Sequence, residues 1–350
     1  MSAVVEQPPV PSTEPTEQRA GLGALLRSEL HRFRSRRFIQ VVLVVGLLGW
    51  IAATVIALTQ YGTPSADALA RAEQQAEQDI AMNEEFREEC LADPGEIPEG
   101  MDPDDVCGPP MTRADIDLSW YLDRPPFDFA EAAPAGAFGF AALAAVLAGL
   151  IGATWIGAEW SSRNLVALLF WIPQRMRVMT AKIVVLVGAC LLLGVVAQAG
   201  WLAMSGILRA AAGTGEALPP NLWSDLLQTQ GRAVLLTVIA GLLAFGLTNL
   251  VRNTGAALGI GFVYIVIVES AVRALQPTWQ PWLLSNNAVA LVEQGGSTLY
   301  IYDYDQQDAT GFVEPIEYYL GHLQSGIMLA IVTAVIVAIG AVLFARRDIH

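Results

Sequence analysis

The chain has 350 residues, of which 54% are hydrophobic and 15% charged, with a formal charge of −14 and a mean hydropathy of +0.45. That balance is too apolar for a soluble domain of this length, and it places the chain among polytopic membrane proteins.

Residues 1–18 set Pro8, Pro9, Pro11 and Pro15 among polar residues and read as a disordered cytoplasmic tail. In residues 19–37, Leu22, Leu25, Leu26, Leu30 and Phe33 recur at three- and four-residue spacing while Arg27, Arg32, Arg34 and Arg36 take other faces. This pattern predicts an amphipathic interfacial helix on the inner membrane surface; a plain cationic anchor for the first span is the alternative. Residues 38–350 then hold six windows near 39–59, 134–157, 183–208, 233–250, 255–272 and 325–345. Each is long enough to cross a hydrocarbon layer of about 30 Å. With no water at that depth to satisfy peptide groups, each is expected to be an α-helix. The fold class is therefore all-α integral membrane, with six transmembrane helices and two large extracellular segments, 60–133 and 276–321. Only Val251 to Thr254 join the fourth and fifth windows, so these form a tight hairpin.

Cations set the orientation, because short cytoplasmic loops retain Lys and Arg. Arg27, Arg32, Arg34, Arg36 and Arg37 precede the first window, Arg163, Arg175, Arg177 and Lys182 follow the second, Arg252 follows the fourth, and Arg346 and Arg347 follow the last. Both termini are expected in the cytoplasm, with the chain in the plasma membrane. Of the 34 acids, 19 lie between Gln60 and Pro134 against four Arg, which assigns the acidity to the first external segment. The first window is read as a span and not as a signal core, for which it is too long.

Within that external segment, Ala66 to Cys90 is rich in Ala and Glu without Gly or Pro and predicts a helix, followed by an irregular stretch. Cys90 and Cys107 both fall where oxidation is permitted, and a disulfide is expected between them; two free thiols are the alternative. Cys190, inside the third window, is read as a small packing residue. The second external segment carries Trp279, Trp282, Tyr300, Tyr302, Tyr304, Tyr318 and Tyr319, which suit a membrane interface or, alternatively, a substrate platform.

Three polar residues lie at depth. Glu269 lies in the outer part of the fifth window, where an acid is costly and marks a functional position by default. Arg273, four residues on, offers a structural partner on the same helix face. Gln198 and Asn249 are expected to bond between helices.

Between the second and third windows, Leu165, Leu168 and Leu169 give an apolar face to a short helix beginning near Glu159 and stopped or bent by Pro173. Arg175, Arg177 and Lys182 would then hold the third span at the inner surface with charge left exposed to a partner. These residues, Glu159, Ser161-Ser-Arg163, Leu168-Leu169, Pro173, Arg175, Arg177 and Lys182, together with a last span ending Phe344-Ala-Arg-Arg-Asp-Ile349 and the six-span order, resemble the permease subunits of type-two ABC exporters, in the branch common among actinobacteria.

The resemblance implies a pair of permeases, a second copy or a homologous chain, docked on a separate cytoplasmic ABC ATPase through Glu159, Arg163, Pro173, Arg175 and Arg177. It also implies export of a hydrophobic or amphipathic molecule such as a drug, peptide antibiotic or lipid. The long acidic segment after the first span departs from the family pattern and leaves the substrate open. The chain has no Gly-x-x-x-x-Gly-Lys-Ser/Thr loop, its only lysine is Lys182, and His31, His322 and His350 are scattered. It is therefore read as no enzyme and as holding no cofactor or metal of its own; ATP and Mg would be bound by the partner, and nucleic acid is not an expected partner. The competing reading is a non-transporting membrane sensor or assembly protein working through its acidic ectodomain.

Overall fold

The computed structural model describes residues 21–93, 102–162, 174–302 and 313–346. Six of its helices are long and apolar enough to cross a membrane: α2 (Arg37–Gln60), α5 (Phe129–Ser161), α6 (Arg175–Ala212), α7 (Leu222–Val251), α8 (Thr254–Leu275) and α10 (His322–Arg346). Large apolar side chains cover their outer flanks, among them Val44, Leu47 and Ile56 on α2, Leu192 and Val196 on α6, and Ile331 on α10. A surface of that kind requires lipid, and the chain is a multi-pass membrane protein.

The helices run past the apolar windows because a formed helix continues into polar sequence wherever its end is capped. The second apolar window starts at Pro134, yet α5 begins at Phe129: Asp128 caps it, its carboxylate accepting from Ala130 N at 2.7 Å and Glu131 N at 3.3 Å. The fourth and fifth spans turn within four residues. Arg252, with φ of 59°, closes α7 by donating its backbone N–H to Thr248 O at 2.7 Å, and Asn253 caps α8 by accepting from Ala256 N at 2.9 Å. A π-helical turn at Tyr264–Val268 interrupts α8 just before Glu269.

Helix α7 is the centre of the bundle. It packs on α5, α6 and α10, and 44% of its most apolar window is buried, against 11% for α2 and for α8, which lie at the edge. Glycine permits close approach of α5 and α7: a Cβ on Gly152 of α5 would collide with the backbone of Gly241 on α7. One apolar core fills the end near the start of α2, around Ile151, Trp155, Met179, Leu186 and Phe245. A second fills the far end, around Phe127, Phe129, Trp201 and Leu226. Cys190 is buried in the first of these, as a packing residue would be. Gln198 donates from α6 to Ala137 O on α5 at 3.2 Å, and Trp160 on α5 donates to Asn249 Oδ1 on α7 at 3.2 Å, so both polar residues do bond between helices.

At the far end the segment between α2 and α5 begins with α3 (Ala66–Ala92), capped by Ser65. It continues through the short α4 (Pro103–Cys107) and two 3-10 turns, Arg113–Asp115 and Leu118–Tyr121. Cys90 and Cys107 are joined in a disulfide. Arg124 anchors the segment on the end of α2 by donating to Leu58 O at 2.9 Å and Tyr61 O at 2.6 Å.

The segment between α8 and α10 holds α9 (Leu284–Val292) and an antiparallel pair, β1 (Ser297–Ile301) with β2 (Ile316–Leu320), in register Leu299 to Tyr318. The fold is thus not wholly helical. Of the aromatic residues read as suiting a membrane interface, Tyr300, Tyr318 and Tyr319 lie in this hairpin, where aromatic side chains favour the extended backbone. Trp279, Trp282, Tyr300 and Tyr319 remain exposed on it or beside it.

Candidate functional site

Helix α1 (Leu22–Arg34) shows where the charges of the first core end go. Its buried stripe is Leu25, Glu29 and Phe33, spaced at four residues, and it packs on α6; Leu22 and Leu30 stay exposed. The helix is therefore docked on the bundle through an acid that the apolar pattern did not mark. Opposite Glu29, Lys182 projects from the second turn of α6 with its side chain fully buried. Its Nζ lies 2.7 Å from Glu29 Oε2 and 2.6 Å from Glu159 Oε2 on the last turn of α5. Glu159 Oε1 in turn accepts from Arg36 at 3.1 Å, just before α2. Arg32, more exposed, approaches Glu29 at 3.4 Å.

Trp155 is the floor of this network. The Arg36 guanidinium stands 4.7 Å from the centre of its ring and Lys182 Nζ 4.8 Å, a cation–π arrangement on a desolvated indole. Phe33 packs edge-on at 5.1 Å. The charges balance, with Glu29 and Glu159 against Lys182 and Arg36. That balance is what makes burial tolerable, since a lone ion at this depth would lose its hydration with nothing to replace it. Four elements, α1, the start of α2, the end of α5 and the start of α6, are thereby joined by one set of side chains.

This arrangement corrects the expectation for Lys182, which does not leave its charge exposed. The sole lysine of the chain is enclosed between two carboxylates over the Trp155 ring, so its charge is neutralised within the protein. Glu159 is likewise enclosed and lies within α5, not at the start of a separate helix. Arg175 reaches the last carbonyls of α10, Phe344 O at 3.5 Å and Ala345 O at 3.3 Å. Arg177 is exposed. Arg163 and Pro173 lie outside the described residues. Arg252 stacks at 4.5 Å over Trp160, which meets Phe344 edge-on, so α5, α7 and α10 are also tied together at this end.

Glu29, Trp155 and the pairing role of Arg36 are not marked by apolar periodicity or by any motif. The available signals were one acid inside an otherwise cationic helix and a single lysine among arginines, both of which become informative only once the helices are packed.

The fifth-span acid is also paired. Arg273 donates to Glu269 at 3.3 Å across one helical turn. Glu269 further accepts from the Ser285 backbone N–H at 3.1 Å and from the Ser285 hydroxyl. It thus caps the N-terminus of α9, which has no side-chain cap of its own. Arg273 continues to Ser285 Oγ at 2.6 Å and Asn286 Oδ1 at 3.1 Å. Glu269 and Arg273 are thus brought together as a pair on one helix face.

No protein-family model matches the chain, and no match is found among curated proteins.

Proposed function

We propose that this chain is the permease subunit of an ATP-driven exporter of the type-two ABC class, lying in the plasma membrane with the α1 end in the cytoplasm. A separate ABC ATPase binds ATP and Mg and drives it, and a second permease copy or homologous chain completes the transport unit. The cargo is a hydrophobic or amphipathic molecule. The observation that carries this reading is the Glu29–Lys182–Glu159–Arg36 network. It lies at both ends of the 163–173 connection, on the last turn of α5 and the second turn of α6, and bonds them to α1 and α2.

A push on that connection therefore reaches four helices at once, because buried paired charges resist separation more strongly than apolar contacts that can slide. In this reading Arg163 and Arg177 meet the ATPase, and Glu159 transmits the force without touching it. The Arg163→Glu, Arg177→Glu double variant is expected to lose at least about nine-tenths of permease-stimulated ATP hydrolysis in a co-purified complex while its unfolding temperature stays put. Undiminished stimulation would remove the assignment.

The sensor or assembly reading has one observation in its favour: the acidic segment is ordered around a disulfide and a long capped helix, more structure than a mere connection needs. Co-purification of an ATPase with the full chain separates the two readings.

A further inference from the structure

The 60–134 segment encloses a groove of about 500 Å³ between α3 and the two 3-10 turns. One wall is Met82 and Phe86, one helical turn apart on α3, and the other is Met111 and Trp120, with buried Ile116 at the base. Trp120 is 77% exposed, Phe86 69% and Met82 64%. Aromatic and thioether side chains left open together on a highly charged segment form a contact surface, not a solvated one. The groove is held in shape from both ends. The disulfide ties Cys90, four residues beyond Phe86, to Cys107, and the Tyr121 hydroxyl donates to Asp79 at 2.6 Å. A preformed groove does not have to be ordered by its ligand.

Charge selects the occupant. Asp79 and Asp115 line the groove, and the segment holds 19 acids against four Arg. Three of those Arg are engaged within the protein: Arg87 on Asp104 and Gly108 O, Arg113 on Ile116 O, and Arg124 on the end of α2. The field over the apolar walls is consequently anionic. A second copy of the same segment would be repelled, as would an anionic lipid surface, whereas a cation attached to an apolar body gains on both counts. From Asp79 to Phe86 the wall measures about 10 Å along the helix axis, which accommodates about three extended residues at roughly 3.3 Å each.

We propose that this groove captures a cationic amphipathic peptide, with Phe86 and Trp120 gripping its apolar side chains and Asp79 and Asp115 facing its cations. The site is separate from the ion network beside the 163–173 connection and requires neither an ATPase nor transport.

The test uses the full chain in phosphatidylcholine nanodiscs and a fluorescein-labelled hexapeptide of alternating lysine and leucine, read by anisotropy against empty nanodiscs. Saturable binding above the empty-disc background is expected, weakening as salt is raised. The Phe86→Ser, Trp120→Ser variant should weaken it at least about ten-fold. Asp79→Asn with Asp115→Asn should weaken it and flatten the salt dependence. Because those two acids also make local hydrogen bonds, Glu85→Gln with Glu89→Gln serves as a second neutralising pair that leaves the turns intact, and a smaller loss in the same direction is expected. Equal binding to empty discs, equal binding of a glutamine–leucine analogue, or undiminished binding by the Phe86→Ser, Trp120→Ser variant would overturn the proposal. The last result, together with loss of tryptophan quenching by brominated lipid, would assign the aromatic wall to the bilayer instead.

Discussion

The two ends of the bundle treat charge in opposite ways. At the α1 end a few ionic side chains are withdrawn from water and paired, so that Glu29, Glu159 and Lys182 are as buried as the leucines around them. At the α3 end many acids stand exposed on a helix whose only buried residues are Ala72 and Ala76. The difference follows from what surrounds the charges. A charge embedded in long apolar helices must find an opposite partner or exclude the helix from the core, whereas charges in an Ala- and Glu-rich segment keep their hydration at no cost. The first arrangement makes a rigid joint. The second makes a surface field.

The largest expected break in this contrast is Lys182→Met. Removing the ammonium leaves two buried carboxylates facing each other and should cost about 3–5 kcal/mol, seen as a large fall in unfolding temperature of the purified protein. The double variant Glu29→Gln, Lys182→Met should recover most of the loss, because it removes one charge of each sign and leaves Glu159 paired with Arg36. If the single variant unfolds like the parent, the joint is not held by these ions.

At the α3 end the corresponding change is smaller and local. Replacing Cys90 and Cys107 by Ser opens a loop with a sequence separation of 17 and should cost the segment roughly 3 kcal/mol. The expected readout is faster proteolysis within 66–121 with the unfolding of the membrane-spanning helices unchanged. A parallel loss in both would mean that the two ends are not independent.

The smallest effect concerns Asp115. Hydrogen bonds from the Thr112 hydroxyl and backbone N–H hold its carboxyl below the usual carboxylate range. The sign follows from a folded value lower than the unfolded one. The stabilisation is fully present above about pH 4, the ordinary Asp value, and is lost as pH falls through the lower folded value. Acidification should therefore release the 113–115 turn only below that range. A carboxyl resonance titrating at the ordinary position would contradict the geometry. The same end carries a shift of the opposite sense: the hydrogen bond from Tyr121 to Asp79, with burial and the nearby carboxylate charge adding to it, raises the phenol.

What the sequence by itself determined is what depends on neighbours along the chain. Runs of apolar residues gave the six long helices. Four residues between two such runs gave the hairpin at Val251 to Thr254, and spacing of four gave the Glu269–Arg273 contact. Helix geometry alone places residues i and i+4 together. The second carboxylate contact of Glu269, with Ser285, was not legible, because it depends on where α9 folds back.

The central joint was hidden for the same reason. Glu29 and Lys182 are 153 positions apart, and Arg36 and Glu159 are 123 apart. Nothing in local periodicity distinguishes an exposed arginine, such as Arg37, from one that pairs with a buried acid, such as Arg36. Only the packing of α1 against α6, and of α5 beside both, excludes water from that point and forces those particular charges to neutralise one another.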